Sequence, residues 1–153
     1  MKIFVDSNVI LDVLEKREPF FQDSNAFLWL CTNRKAALAP HTLTNIFYKL
    51  QKRFSEAERK SMLLDVLSYM DVVQTGKPQI VKALHNDAIG DFEDGFQLEC
   101  AREYKADFIV TRDLKPFANS GIKTLTPKEF LEKHGRAFAA DGGMKTLANE
   151  GGK

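Results

Sequence analysis

The stretch 1-MKIFVDSNVILDVLEKREPF-20 places an acidic residue, Asp6, directly behind the short apolar run of residues 3–5. A run of this length is typical of a buried strand, and the apolar spacing from Val9 to Leu14 is typical of a helix. Carboxylates are rarely buried without a partner. Asp6 therefore either caps the helix or is held at the strand end for chemistry, and this stretch leaves both interpretations open.

The composition is typical of one globular domain. Of 153 residues, 44% are apolar and 28% are charged, and the net charge of +1 provides no overall basic field for nucleic acid. Cys31 and Cys100 lie in apolar helical patterns, which favours reduced core thiols over a zinc site. The chain start has no signal-peptide pattern, and no apolar run is long enough to span a membrane. We therefore expect a cytoplasmic protein without membrane contact.

Strand and helix patterns alternate along the chain, which predicts an α/β fold with a parallel sheet covered on both faces. Strands are expected at residues 3–5, 36–40, 71–75, 107–111 and 122–125. Helices are expected at 44–53 and 88–104, and a last one begins at Thr126 and stops at Gly135. We assign residues 1–134 to one domain and the glycine-rich residues 135–153 to a flexible tail.

Two of the predicted strands end in aspartates. Asp6 follows the first strand, and Arg112 and Asp113 follow the strand at 107–111. Open α/β sheets bind ligands outside the carboxyl ends of their parallel strands. We therefore expect Asp6 and Asp113 to share one edge of the sheet.

A third acidic group lies in the segment HNDAIGDFEDGFQLECA. Asp87, Asp91 and Asp94 are spaced i, i+4 and i+7, so on one helix they would share a face. Complementarity to the positive end of the helix dipole also explains acids near a helix start. Clustered carboxylates without thiols suit hard divalent ions such as Mg²⁺ or Mn²⁺.

Four motifs follow one another in order: IFVDSNVILDVL, TLTNIFYKL, DFEDGFQLECA and DFIVTRDLKPF, the last followed by LTPKEFL. Together they resemble the PIN domain over residues 2–133, and more narrowly the VapC-like ribonucleases of bacterial toxin–antitoxin pairs. The resemblance implies a three-layer α/β/α fold with a parallel sheet of four to five strands. It also implies hydrolysis of RNA by a water activated by Mg²⁺ or Mn²⁺, with an antitoxin protein and a second copy of the chain as partners.

The resemblance also assigns roles to residues. It implies a catalytic set in which one position departs from the family pattern, because Asn45 stands where a carboxylate is expected. An amide adds no negative charge and cannot act as a base, so we expect Asp91 to compensate. The implied catalytic residues are Asp6, Asn45, Asp94 and Asp113, and the implied supporting residues are Asn8 and Thr111. The expected metal ligands are Asp6, Asp94 and Asp113, to which we add Asp91 because its spacing places it one helical turn from Asp94.

Three functions are compatible with this pattern. The leading hypothesis is a metal-dependent endoribonuclease, for which Lys49, Lys52, Arg53 and Arg112 are candidate RNA contacts, although helix cations are more commonly solvated. Asn45 favours the alternative of a PIN module that has lost turnover and binds RNA or a protein partner. An aspartyl-phosphate phosphatase is disfavoured, because such enzymes carry a second aspartate two residues after the first, where the motif DSN has Asn8.

Overall fold

The computed structural model describes residues 1–32 and 35–140. Five parallel strands form one sheet in the order β3-β2-β1-β4-β5, with β1 at its centre. The strands are β1 (Lys2–Val5), β2 (Lys35–Leu38), β3 (Asp71–Val72), β4 (Phe108–Val110) and β5 (Lys123–Leu125). The predicted α/β fold with a parallel sheet is therefore confirmed.

Seven α-helices cover the two faces of the sheet within the described ranges. They are α1 (Ser7–Leu14), α2 (Phe21–Cys31), α3 (Pro40–Lys49), α4 (Glu56–Leu67), α5 (Lys77–His85), α6 (Phe92–Glu103) and α7 (Pro127–Ala140), and a short 3₁₀ turn spans Lys115–Phe117. None of the helices in these ranges is long and apolar enough to cross a membrane.

The central strand β1 produces a core on each face of the sheet. Ile3 and Val5 lie in the larger core, which includes Phe27 of α2, whereas Phe4 lies in a second core with Leu98 of α6. All of these side chains are buried. Because successive side chains of a strand point to opposite faces, a fully apolar strand needs helices on both sides. The result is the expected three-layer α/β/α arrangement.

Helix α3 begins earlier than the sequence indicated. The predicted start at Thr44 is wrong, since the helix begins at Pro40 with Ala39 as its N-cap. Proline is favoured in the first helical turn, where its fixed φ suits the helix and its missing N–H is not needed. Pro40 therefore starts a helix in addition to ending the segment of β2.

Helix α6 begins later than predicted, at Phe92. Asp91 is its N-cap, and the Asp91 carboxylate accepts a hydrogen bond of 3.1 Å from the backbone N–H of Asp94. Asp87 and Asp91 therefore precede the helix, and the prediction that three aspartates share one helical face is wrong. Capping by aspartate satisfies an otherwise unpaired N–H at the helix start, which explains the boundary.

Helix α7 does not stop at Gly135 but continues to Ala140. Phe138 is fully buried and its ring lies 5.3 Å from that of Phe130. Burial of a phenylalanine outweighs the roughly 1 kcal/mol that an internal glycine costs a helix. Residues 135–140, which we assigned to the flexible tail, are therefore part of the last helix of the domain. The rest of the predicted tail, 141–153, lies outside the described residues.

Both cysteines have the state that the sequence predicted. Cys31 and Cys100 are free and buried. Burial raises the pKa of both thiols, that of Cys100 to about 11. Neutral thiols of this kind act as small apolar core residues.

We predict that Phe138→Ala lowers the free energy of unfolding by about 3 kcal/mol, since it removes a buried ring and leaves a cavity. Urea denaturation followed by circular dichroism measures this change. Arg136→Ala, on the exposed side of the same helical turn, is the matched control and should change stability by about 0.5 kcal/mol or less. Equal stability of the two variants would show that α7 is not anchored through Phe138.

Candidate active site

The acidic residues meet at the carboxyl edge of the sheet, beside its central strand. β1 pairs with β4 in parallel register, Val5 opposite Val110, and the Asp6 N–H extends this ladder by donating to the Val110 carbonyl at 3.0 Å. After β1 the chain adds β2 and β3 on one side of that strand, and it then adds β4 and β5 on the other side. This reversal of strand order creates the crevice in which open α/β sheets bind ligands. Asp6 and Asp113 therefore share one edge, as the sequence predicted.

The carboxylate of Asp6 is buried and accepts four hydrogen bonds. Its donors are the Ser7 hydroxyl at 3.3 Å, the Asn8 amide at 3.1 Å, the Gln97 amide at 2.7 Å and the Thr111 hydroxyl at 2.8 Å. Asp6 occupies the N-cap position of α1, but its side chain makes no capping hydrogen bond. Of the two interpretations open at the start, the structure thus supports a carboxylate held in place by its neighbours.

Thr111 connects the ends of β1 and β4. Its hydroxyl donates to Asp6, accepts from the Asn8 amide at 3.1 Å and accepts from the backbone N–H of Asp113 at 3.1 Å. The Asn8 side-chain oxygen accepts from the backbone N–H of Arg112 at 3.2 Å. Asn8 and Thr111 therefore hold the backbone around Asp113 in a defined position relative to Asp6.

Asp94 lies in the first turn of α6 and faces several like charges. Its pKa is raised to about 6, first by burial and then by the negative charges of Asp91, Asp6, Glu93 and Asp113. Burial and neighbouring carboxylates both disfavour the ionised form. Three of these four carboxylates were singled out in the sequence, and a cation would relieve the excess of negative charge near Asp94.

Asn45 is paired with a carboxylate that sequence reasoning missed. The Asn45 amide donates to the Glu93 carboxylate at 2.9 Å, across the gap between α3 and α6. Glu93 therefore brings a carboxylate into hydrogen-bond contact with position 45. Glu93 adjoins Asp94 in the motif DFEDGF, but only the true start of α6 shows that it faces α3.

Two further residues were not among the predicted site residues. Gln97 is buried, and while its amide nitrogen holds Asp6, its side-chain oxygen has no hydrogen-bond partner among residues 1–32 and 35–140. His41 stacks on Phe96 with ring centroids 4.8 Å apart. Burial lowers the pKa of His41, against the opposing charges of Glu93 and Asp6, so its ring is neutral at pH 7.

The fit of the site to a metal ion follows from its donors. In the part of the chain that the structure describes, no three His, Cys, Asp or Glu side chains are grouped so that they could hold an ion. Mg²⁺ usually retains several waters and needs only one or two carboxylates. The charge excess at Asp94 and the unused buried acceptor of Gln97 suit a hydrated ion of this kind.

Arg112 is engaged within the protein. Its guanidinium donates to the buried carboxylate of Asp12 at 2.6 Å and lies over the ring of Phe20 at 4.0 Å. The same Asp12 oxygen accepts from the Ser24 hydroxyl at 3.2 Å. These contacts attach the loop that carries Asp113 to α1 and α2, and RNA contact by Arg112 stays a prediction.

The basic residues at the end of α3 differ from one another. Lys49 and Lys52 are exposed and have no ion-pair partner among the described residues. Arg53 donates to the Glu15 carbonyl at 3.0 Å and lies 3.6 Å from the Glu15 carboxylate. The two lysines are therefore the cations of this group available to a ligand.

Comparison with known proteins identifies the family and the fold of the chain. The family model for the PIN domain matches residues 2–115. Ribonuclease VapC1 of Aquifex aeolicus (strain VF5) is 27% identical over 137 residues, which span 86% of this chain and 94% of that protein. Two solved structures are similar in fold. A toxin–antitoxin complex from Klebsiella pneumoniae has a TM-score of 0.63 and 18% identity, and the match covers 83% of this chain and 98% of that one. FitAcB from Neisseria gonorrhoeae has a TM-score of 0.62 and 15% identity, and the match covers 82% of this chain and 98% of that one.

We predict that Asp94→Asn raises thermal stability at pH 8 in a metal chelator. The pKa of Asp94 in the folded protein lies above its ordinary value, so the stability that its protonated form contributes is lost as the pH rises through about 6. After allowance for solvent screening, the gain should be about 1 kcal/mol, and it should shrink as the pH falls from 8 toward 4. Melting followed by circular dichroism measures both effects.

Asp87→Asn is the matched control, because Asp87 is exposed and is not among the charges that raise the pKa of Asp94.

Excess MgCl₂ should raise the melting temperature of the unchanged protein more than that of the Asp94→Asn variant, since an ion that binds only the folded state stabilises it. An equal response of both proteins would exclude Asp94 from an ion site.

Proposed function

The chain belongs to the PIN domain family, and from this premise we propose that it is a metal-dependent endoribonuclease that hydrolyses RNA phosphodiester bonds with an activated water, as a VapC-like toxin. The observation that carries the proposal is the placement of Asp6 and Asp113 behind the paired strands β1 and β4, with the start of α6 and Asp94 held beside them by the hydrogen bond from Gln97 to Asp6. The similarity to a VapC ribonuclease supports the choice of RNA as substrate.

Asp6, Asp94 and Asp113 form the catalytic set, with Mg²⁺ or Mn²⁺ as the ion. A bound divalent ion lowers the pKa of a water and stabilises the oxygens of the scissile phosphate. Asp6 is fixed by its four donors and keeps its orientation when the substrate arrives. Asp113 is exposed and available to the ion, whereas Asp91 acts mainly as the cap of α6 and adds charge beside Asp94.

Glu93 takes the role that the family pattern gives to an acid at position 45. Its carboxylate is held by the Asn45 amide, which leaves the second oxygen of Glu93 for the ion or its waters. Asn45 is then a positioning residue rather than a catalytic one. With Glu93 in this role, the site has an acid at each of the four positions where the family pattern expects one.

Lys49 and Lys52 contribute to RNA binding through phosphates, with Arg53 and Arg112 contributing less because both are engaged with the protein. Phosphate contacts hold the backbone without reading sequence. They also make binding weaken as salt increases.

The proposed partners are an antitoxin protein and a second copy of this chain, in the cytoplasm. The similarity in fold to a toxin–antitoxin complex supports the first of these. Exposed apolar side chains offer contact area for either partner, among them Trp29, which is 62% exposed on α2, and Leu64, which is 68% exposed on α4.

We predict that the purified protein cuts RNA when Mg²⁺ or Mn²⁺ is present and that a chelator stops it. Asp6→Asn and Asp94→Asn should each reduce the cleavage rate about 100-fold or more, because each removes a negative charge that would hold the divalent ion in the site. Gel analysis of a labelled RNA gives the rates, and Asp87→Asn should cut normally. Full activity in both site variants would refute the assignment.

We predict that Glu93→Gln lowers the cleavage rate about 10- to 100-fold and that adding Asn45→Asp to it restores part of the loss. The double variant moves the carboxylate across the same hydrogen bond, with the new glutamine amide as donor. Single-turnover rates on one RNA measure the effect. The opposite outcome, an inactive parent that Asn45→Asp alone activates, would favour a PIN module that has lost turnover.

A further inference from the structure

A cavity of about 380 Å³ lies beside the candidate active site and shares two residues with it. It opens between the loop that precedes α6, the outer side of α6 and the segment after β4. Asp91 and Asp94 form its end next to the catalytic carboxylates. A polynucleotide whose scissile phosphate lies at Asp94 would therefore place an adjoining nucleotide in this cavity.

The walls of the cavity suit a flat ring. Ile89 and Pro116 are half-buried and provide its apolar surface, while Leu98, which also borders the cavity, belongs to the buried core. The cavity volume falls within the range of small-molecule sites, which are mostly apolar with a few polar groups that fix orientation. An unstacked base has two apolar faces and a polar edge, and it matches such a lining.

Asn119 is the polar residue of the lining that is most available to a ligand. It is exposed, and neither its amide nitrogen nor its oxygen has a hydrogen-bond partner in the described ranges. By contrast, the Asn86 side-chain oxygen accepts from the Ala88 N–H at 3.1 Å, and the Ser120 hydroxyl is occupied by the backbone of Ile122. A free amide offers a donor and an acceptor side by side, the pattern that pairs with base edges.

The charges along the cavity are arranged for a nucleic-acid backbone. Lys115 is exposed, lines the cavity and has no ion-pair partner among the residues described. Arg102 is engaged, since it binds Glu99 at 2.6 Å and the Ser120 carbonyl at 3.2 Å. Lys115 is thus the available cation for the phosphate that follows the scissile one.

From these features we propose that this cavity binds one base of the substrate RNA next to the cleaved bond, that Asn119 reads the edge of that base, and that Lys115 holds the neighbouring phosphate. The inference rests on the proposed ribonuclease function and extends it, because it identifies the residue that determines sequence preference. Asn119 contacts the base and takes no part in the hydrogen bonds that hold Asp6.

The position of the cut is first mapped with a mixed-sequence RNA. The test then compares cleavage of four oligoribonucleotides that differ only in the base beside that cut. We expect the unchanged protein to prefer one base, and Asn119→Ala to reduce that preference in kcat/KM about tenfold with little change on the poorest substrate. Lys115→Ala should weaken all four substrates equally and reduce the salt dependence. Asn25→Ala, an exposed asparagine on α2, is the matched control.

An unchanged base preference in Asn119→Ala would overturn the proposal. A second measurement separates it from the ribonuclease assignment: binding of the four free nucleosides, which carry no phosphate, followed by NMR shifts of the backbone amides of Ile89 and Asn119. Binding that Asn119→Ala weakens supports the cavity even if the protein cuts no RNA, an outcome that would refute only the proposed function. Absence of nucleoside binding to the unchanged protein would also overturn the proposal.

Discussion

The carboxylate of Asp6 connects three parts of the fold, and the geometry of the site depends on it. Its donors come from the start of α1, from α6 and from the segment after β4. Hydrogen bonds to a charged acceptor are stronger than neutral ones, and a buried carboxylate without them would be costly. The need to satisfy this single charge therefore determines how α6 lies against the carboxyl edge of the sheet, and with it the position of Asp94.

The same edge carries more negative charge than the fold neutralises. Asp94 remains in repulsive surroundings, while the buried Asp12 is matched by Arg112. The contrast is informative, because both carboxylates belong to the same small region. The charge of Asp12 is paired, whereas that of Asp94 is left among like charges. An unpaired cluster of carboxylates is typical of a site in which function is favoured over stability. The two large apolar cores supply the stability that offsets it.

The pairing of Asn45 with Glu93 shows that a family motif describes a place in space rather than a place in sequence. Read along the chain, Asn45 is a lost acid. In the folded protein its amide donates to a carboxylate from another helix, so an acid lies in hydrogen-bond contact with this position. An assessment of activity from motif residues alone would therefore understate the charge at this site.

The sequence by itself determined the layer order, the parallel sheet, the edge shared by Asp6 and Asp113, and the acidic character of the site. These follow from local patterns: short apolar strands, helical spacing and polar residues at strand ends. Only the tertiary structure decided that α7 continues to Ala140 and that Glu93 and Gln97 face the carboxylates of the sheet edge. Those outcomes depend on contacts between residues far apart in the chain, such as Phe138 with the core that includes Phe27 of α2, Asn45 with Glu93, and Gln97 with Asp6 across 91 positions. Local propensity cannot include such contacts, because their energy exists only once the chain has folded.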